Sequence, residues 1–321
     1  MANRLITVFG GSGFVGRHVV ERLAQRGNRI RVAVRHPNLA LFLKPMGDVG
    51  QIQIVEADLR HPDSVVAALS GADATVSAVG ILVEKRRQKF KEIHVAGARC
   101  IGEAAAATGV RNLVHLSALG ADPASPSRYA RSKAAGEQAL RETFPDAVIL
   151  RPSVIFGPDD DFFNRFASLA RISPVLPLIG GGETRFQPVY VGDVAAAVLR
   201  TLDEPDAFGE VFELGGPQTY SLCELLEYVL AQTGRRRPLL ALPFWAARID
   251  AALLQLAFKF LRSDPPLTID QVRLLERDNV VSDRALGLAD LGITPTPLET
   301  VVPEYLWRFR RTGQFSGLAM P

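Results

Sequence analysis

Leu5-Ile6-Thr7-Val8-Phe9-Gly10-Gly11-Ser12-Gly13-Phe14-Val15-Gly16-Arg17 is the stretch on which the fold turns. Its first five residues, apolar or β-branched, read as a short buried strand, and His18 to Arg26 reads as a helix. Between them Gly10, Gly13 and Gly16 stand three apart, where the backbone must turn tightly and approach a phosphate. Backbone N–H groups and the positive end of the helix then face the anion. Glycine-rich turns also serve as plain hinges. Here strand, turn and helix come in the order that a dinucleotide pyrophosphate site requires, within about thirty residues.

Outward from that turn, short Val- and Ile-rich runs alternate with Ala-rich helical stretches, the pattern of βαβ units and a parallel sheet. The runs are Leu5-Phe9, Ile30-Val34, Ile52-Glu56, Ala74-Ala78, Leu113-Ser117 and Ala147-Leu150, with helices beginning near Gly13, Pro62, Phe90 and Ser127. Gly27 and Gly109 stand where helices end on a left-handed residue. After Gly157-Pro158 the alternation becomes irregular. A strand and helix follow at Gln187-Leu202 and a further strand at Glu210-Leu214. The fold class read from this is α/β, a Rossmann-type doubly wound parallel sheet with a smaller, interwoven C-terminal cap. Residues 1–156 and 184–216 are assigned to the nucleotide-binding domain, and 157–183 and 217–321 to the smaller one.

With 321 residues, 47% of them hydrophobic, the chain can build a sizeable core. Its net charge of +3 is scattered rather than striped, which argues against nucleic acid as a partner. Cys100 and Cys223 stand alone, with no cluster at metal-ligand spacing, so neither a metal nor a disulfide framework is expected. The first strand begins so early that no targeting peptide is expected before it. The apolar stretch Leu239 to Leu261 is interrupted by Pro243, Arg248, Asp250 and Lys259, too often for a spanning helix.

The cofactor reading can be refined. Sites for NAD(H) place an Asp or Glu at the end of the second strand, against the ribose 2′-OH; this chain has Ala33-Val34-Arg35-His36-Pro37. A guanidinium at Arg35, with Arg17 after the last glycine, suits a 2′-phosphate, and NADP(H) is the expected nucleotide. Asp58 and Leu59 fall where the adenine amino group would lie, and Ser77 to Gly80, including Val79, pass under the ribose. Tyr129 and Lys133, four apart with helical character between them, share one helix face. A phenol there can give a proton to a developing alkoxide while the ammonium tunes it and holds the nicotinamide ribose.

Together with Leu150-Arg151-Pro152, Gly157-Pro158 and Pro188-Val189-Tyr190-Val191-Gly192-Asp193-Val194, these motifs resemble the short-chain dehydrogenase/reductase superfamily, in its extended or atypical, epimerase/dehydratase-like branch. The resemblance implies catalytic roles for Tyr129, Lys133 and Ser117 and cofactor contacts by Gly10, Gly11, Ser12, Gly13, Phe14, Val15, Gly16, Arg17, Arg35, Asp58, Leu59, Val79, Gly80, Ser117, Tyr129, Lys133, Pro152 and Val154. Two departures weigh against turnover: Ser117 sits one or two positions early for the family's Ser/Thr, and His94 occupies the place of its helix Asn. Longer stretches, including Ser127-Arg128-Tyr129-Ala130-Arg131-Ser132-Lys133-Ala134, Phe162-Phe163-Asn164-Arg165-Phe166-Ala167-Ser168 and Asp290-Leu291-Gly292-Ile293-Thr294-Pro295-Thr296-Pro297-Leu298-Glu299, resemble the bacterial form of the nucleotide-binding accessory subunits of respiratory complex I. That family implies NADP(H) held as a structural ligand, partners among the complex I subunits, and a cytoplasmic, peripheral place on the inner face of the bacterial inner membrane. The alternative is an active NADP-dependent reductase, epimerase or dehydratase acting on a small carbonyl, quinone-pathway or sugar-nucleotide substrate.

In the stretch 244–262, Arg248, Gln255, Lys259 and Arg262 share a narrow helical face and the rest is mostly apolar, a pattern that fits either an interfacial helix against anionic lipid or a cap helix on its own domain. The charged run Glu84 to Glu92 reads as a solvated loop.

Overall fold

The computed structural model describes residues 4–85, 88–261, 265–311 and 313. In chain order its elements are β1 (Leu5–Phe9), α1 (Phe14–Gln25), β2 (Arg29–Val34), β3 (Ile52–Glu56), α2 (Pro62–Leu69), β4 (Ala74–Ser77), a π-helical turn (Lys91–Ala96) running into α3 (Gly97–Thr108), β5 (Asn112–Leu116), α4 (Arg128–Thr143) and β6 (Val148–Pro152). There follow β7 (Ile155–Phe156), α5 (Phe163–Ile172), β8 (Leu176–Ile179), β9 (Arg185–Phe186), β10 (Val189–Tyr190), α6 (Val191–Asp203), β11 (Val211–Leu214), β12 (Tyr220–Ser221), α7 (Leu222–Thr233), β13 (Leu239–Leu242), α8 (Phe244–Leu261), α9 (Ile269–Leu274), α10 (Leu298–Val301) and α11 (Pro303–Leu306).

Seven strands form one parallel sheet in the order β11-β6-β5-β4-β1-β2-β3. The order reverses between β1 and β4, so the loops after those strands diverge and open a crevice at the carboxyl end of the sheet. Polar residues inside the sheet have partners: Thr75 Oγ1 donates to Thr7 O at 2.9 Å, and Thr7 Oγ1 to Ala68 O at 2.8 Å. One core cluster combines Phe9, Val65, Leu69, Ile101, Ala104, Leu113 and Leu140. Small residues bring α3 close to its neighbour: a Cβ on Gly102 would lie 2.1 Å from Thr143 Oγ1 of α4. The start of α4 is set by Ser127, whose hydroxyl accepts from Ala130 N.

The chain divides into two compact units. One takes the chain up to Pro152, Val191–Leu214 and Ser282–Thr294; the other takes Ser153–Tyr190, Gly215–Val281 and the chain from Pro295 onward. This differs from the division expected above at 153–156, 184–190, 215–216 and 282–294, for a reason visible in the pairing. Phe186 bridges Asn279 and pairs with Tyr220, and Val189 pairs with Ile155, all within the second unit. Residues 282–294 return to the main sheet instead: Leu286 bridges Phe212, Glu213 N donates to Leu286 O at 2.8 Å, and Glu213 Oε2 accepts from the backbone and hydroxyl of Ser282 at 2.9 Å each.

Within the second unit the core gathers Phe156, Phe163, Phe186, Leu225, Leu226, Val302, Tyr305 and Leu306. The buried Asp160 carboxylate accepts from Gly157 N, Asn164 N and the Tyr305 hydroxyl. On α8, Arg248 Nε donates to Glu276 Oε1 at 3.0 Å and Gln255 Oε1 accepts from Ile269 N at 3.1 Å, which ties two exposed polar side chains to their own unit beside α9. The Lys259 side chain and Arg262 lie outside the described residues. No described helix is long and apolar enough to cross a membrane.

Candidate functional site

The turn after β1 is shaped by contacts that only hydrogen can make. Gly10 has φ +75°, and a Cβ there would stand 2.8 Å from Ala78 O; one on Gly16 would stand 2.2 Å from Gly10 O. Gly13 N donates to Gly10 O at 3.0 Å, closing the turn. Gly13 caps α1 without any side-chain bond, and the first turn of α1 holds no acidic residue. The helix therefore presents backbone donors with no internal carboxylate competing for them, which fits a pyrophosphate. Ser12, Phe14 and Val15 are half-buried around the turn, Gly16 is buried, and Gly11 packs on Val32.

Beside the turn, Arg17 lies 5.2 Å from the centroid of the Phe42 ring, which holds its guanidinium on the β2 side. Arg35 is exposed at the end of β2. With the Gln88 amide oriented to satisfy both groups, its oxygen accepts from Arg35. Asp58, after β3, is gripped by Arg60, whose Nε donates to the two carboxylate oxygens at 2.9 and 3.1 Å; this bond, against a smaller desolvation effect, holds its pKa at about 2. Leu59 packs against Gly97. Val79 is half-buried and Gly80 exposed after β4, where a Cβ on Gly80 would lie 3.9 Å from His94 Nε2 and 4.0 Å from Lys133 Nζ.

The end of β5 and the inner face of α4 hold the expected catalytic set, and most of it is already bonded. Lys133, 4% exposed, donates to Leu116 O at 2.9 Å; desolvation brings its ammonium down to about 8, with Glu137 opposing. Ser117 Oγ donates to Glu137, and Glu137 in turn takes a bidentate bond from Arg151, Nε to Oε1 at 3.0 Å and Nη2 to Oε2 at 2.6 Å. Glu213 Oε1 lies 3.7 Å from Arg151 Nη1. Burial pushes the Tyr129 phenol up to about 12.

His94 sits on the π-helical turn, an irregularity frequent at functional sites. Ile81 N donates to its Nε2 at 3.1 Å, which puts the ring proton on Nδ1; Nδ1 faces Ser132 Oγ at 2.8 Å, and that hydroxyl donates to Tyr129 O at 2.7 Å. Both nitrogens are occupied, and desolvation, followed by repulsion from Lys133, brings the ring down to about 3. The ring stacks on Phe90 at 5.3 Å and meets Tyr129 edge-on at 5.7 Å. At the end of β6, Pro152 O accepts from Leu119 N at 2.9 Å, whereas Val154 belongs to the second unit, where its N donates to Asn279 Oδ1.

The structure thus brings together the glycine turn with the end of β2, and Gly80, His94, Tyr129 and Lys133 around the end of β5. Sequence reading missed Gln88, Arg60, Phe90, Ser132, Glu137 and Arg151. Glu137 carried a signal, since it stands four residues past Lys133 on the same helix face.

Sheet order, glycine turn and the helix-borne Tyr129 and Lys133 define a Rossmann protein of the extended short-chain dehydrogenase/reductase class. Residues 6–215 match the NAD dependent epimerase/dehydratase family. The chain is 36% identical over 316 residues, 96% of its length and 78% of the relative's, to NADH dehydrogenase (ubiquinone) 1 alpha subcomplex subunit 9, mitochondrial, from Arabidopsis thaliana. It is 31% identical to the NADH-ubiquinone oxidoreductase 40 kDa subunit, mitochondrial, from Neurospora crassa, over 96% of this chain and 80% of that one. The chain belongs to the NAD dependent epimerase/dehydratase family and, within it, to the family of these NADH dehydrogenase subunits. Among solved structures, the crystal structure of gox2253 superposes with a TM-score of 0.72 at 24% identity, covering 97% of this chain and 99% of that one, which shows the shared fold.

Proposed function

We propose that this chain is an accessory subunit of respiratory complex I that holds NADP(H) as a structural ligand, peripherally at the inner face of a bacterial inner membrane. The observation that carries the reading is near-full-length similarity to subunits named for that enzyme. The site agrees with it. The glycine cradle and uncapped α1 fit the pyrophosphate, while Ser117 is tied to Glu137 and His94 has both nitrogens engaged. A bound nicotinamide nucleotide supplies hydride chemistry, but here the hydroxyl and imidazole that would serve a carbonyl already have partners. Binding to the folded state alone then stabilises the subunit by mass action.

Within that site Arg35 and Arg17 would meet a 2′-phosphate, Asp58 the adenine, and Lys133 with Tyr129 the nicotinamide ribose. NADP(H) over NAD(H) rests on Arg35, which stands where an acid would hold the 2′-OH. Arg35→Ala is expected to weaken NADPH about tenfold and leave NADH within about twofold, read by fluorescence titration; equal loss for both nucleotides would remove the phosphate role.

The test of the main reading is purification of the tagged protein from detergent-solubilised membranes with identification of what accompanies it. Complex I subunits are the expected companions, and their absence sinks the proposal. A second reading, an NADP-dependent reductase or epimerase, is favoured by one observation, the intact Tyr129 and Lys133 on one face of α4. NADPH consumption that disappears in Tyr129→Phe would support it.

A further inference from the structure

The second unit carries a surface that its own fold does not explain. α8 seats Ala247 and Ala251, both fully buried, in a cluster with Ile179 and Val272. Phe244 at its start packs on Gly180, where a Cβ would come within 2.2 Å of the ring. Beside Arg248 and Gln255, exposed but bonded within the same unit, α8 carries an apolar stripe. Trp245, Ile249, Leu253 and Leu256 are 67%, 54%, 62% and 57% exposed. At about 100° per residue they fall within about 80° of one another around the helix. Leu240 on β13 and Ile172 at the end of α5 are exposed as well, and β13, paired with β8, leads through Pro243 into α8.

A group of arginines stands at the far end of β13, the strand that leads into α8. Arg235, Arg236 and Arg237 immediately precede β13, and Arg235 senses Arg237, Arg311 and Arg171 electrostatically. Arg235 and Arg237 donate to the carbonyls of Phe309 and Ala170, and among the described residues none of the five pairs with a carboxylate. The four residues of β13 span about 13 Å, so the cluster lies within a short reach of Trp245. An apolar stripe wants hydrocarbon and an uncompensated guanidinium cluster wants phosphate; the surface of an anionic bilayer offers both at that separation. α8 is too polar to cross a membrane, which leaves the interfacial plane.

We propose that this face docks on an anionic phospholipid bilayer, with Trp245, Ile249, Leu253 and Leu256 among the acyl chains and the arginines at the headgroup phosphates. The proposal stands independently of the complex I reading, because it concerns lipid alone. It takes up the interfacial alternative that the sequence offers for 244–262 and assigns the residues that would enter the lipid.

The full-length Trp307→Phe protein leaves Trp245 as the single tryptophan of the chain's two. Mixed with vesicles of phosphatidylcholine and phosphatidylglycerol in a roughly seven-to-three ratio, it should show blue-shifted emission and sediment with them, at least about tenfold more weakly with phosphatidylcholine alone or at high salt. Leu253→Glu with Leu256→Glu should abolish binding without moving the thermal unfolding midpoint by more than a few degrees, since both side chains are exposed. Asp250→Asn, removing the exposed acid on α8, should tighten binding by a few-fold. Unchanged Trp245 emission with anionic vesicles overturns the proposal. So does a wild-type dimer that Leu253→Glu converts to monomer while vesicles go unbound, which would make the face a contact between copies.

Discussion

The turn between β1 and α1 and the end of β5 with α4 both stand at the carboxyl edge of the same sheet, yet they are built in opposite ways. The first works through atoms that are missing: glycines at 10 and 16 let backbone approach backbone, and α1 starts with neither a side-chain cap nor an acid in its first turn. At the second, side chains of the kinds catalysis needs are present but engaged, Ser117 with Glu137, Lys133 with Leu116 O, His94 with Ile81 and Ser132. A phosphate grip made of backbone persists whatever the neighbouring side chains do, whereas a proton-transfer site needs its hydroxyl turned to the substrate, and here the Ser117 hydroxyl is turned to Glu137. A fold can therefore keep the nucleotide and lose the reaction.

The largest effect that can break this comparison is expected from Gly16→Val. Its Cβ would need space 2.2 Å from Gly10 O, so the turn must open; nucleotide affinity should fall by more than about a hundredfold and stability by about 3 kcal/mol, read by titration and denaturant unfolding. Persisting NADPH affinity would show that the grip lies elsewhere. Next is Glu137→Ala, which strips Arg151 of its bidentate partner and Ser117 of its acceptor; a loss of about 3 kcal/mol is expected, against about 1 kcal/mol for Ser117→Ala. If Glu137→Ala cost no more than Ser117→Ala, Glu137 would not be the organising group.

A pH series sharpens the comparison further. Lys133 titrates at about 8 in the folded chain against an ordinary 10.5, so between those values the unfolded chain binds more protons and stability rises with pH. Tyr129, pushed up to about 12 from 10.0, acts oppositely above pH 10, where the unfolded phenol ionises first. Lys133→Met should remove the rise between pH 8 and 10; a rise that survives assigns it to another group. Tyr129→Phe should have the smallest effect, nucleotide affinity within about threefold and stability within about 1 kcal/mol. Its complex I content should match the wild type in membrane purifications, and a large loss there would give the phenol a structural duty not seen in its packing.

The main sheet is legible in the sequence because each strand is a local apolar run with its own turn, and the runs from Leu5-Phe9 to Glu210-Leu214 match β1 to β6 and β11 within a residue or two at most ends. The glycine turn is legible for the same reason: its chemistry lies within a few consecutive residues. Ser127 before α4 and the left-handed Gly27 and Gly109 follow from local backbone rules. What stays hidden is the pairing between distant side chains. Nothing near Ser117 announces that Glu137 and Arg151 converge on it, and nothing near Arg35 announces Gln88. The polar residues of 244–262 form a face by spacing, but that Arg248 and Gln255 bond to Glu276 and Ile269 depends on residues further along the chain. The return of 282–294 to the sheet is equally a matter of long-range pairing, through Leu286 and Ser282.

That return has a consequence for synthesis. β11 is the edge strand of the sheet, and its free side is met at Phe212 and Glu213 by a segment that leaves the ribosome several dozen residues later. Until then the nascent sheet keeps an open edge able to pair with another chain. A product stopped before Ser282 would lack the partner of that edge and keep it open.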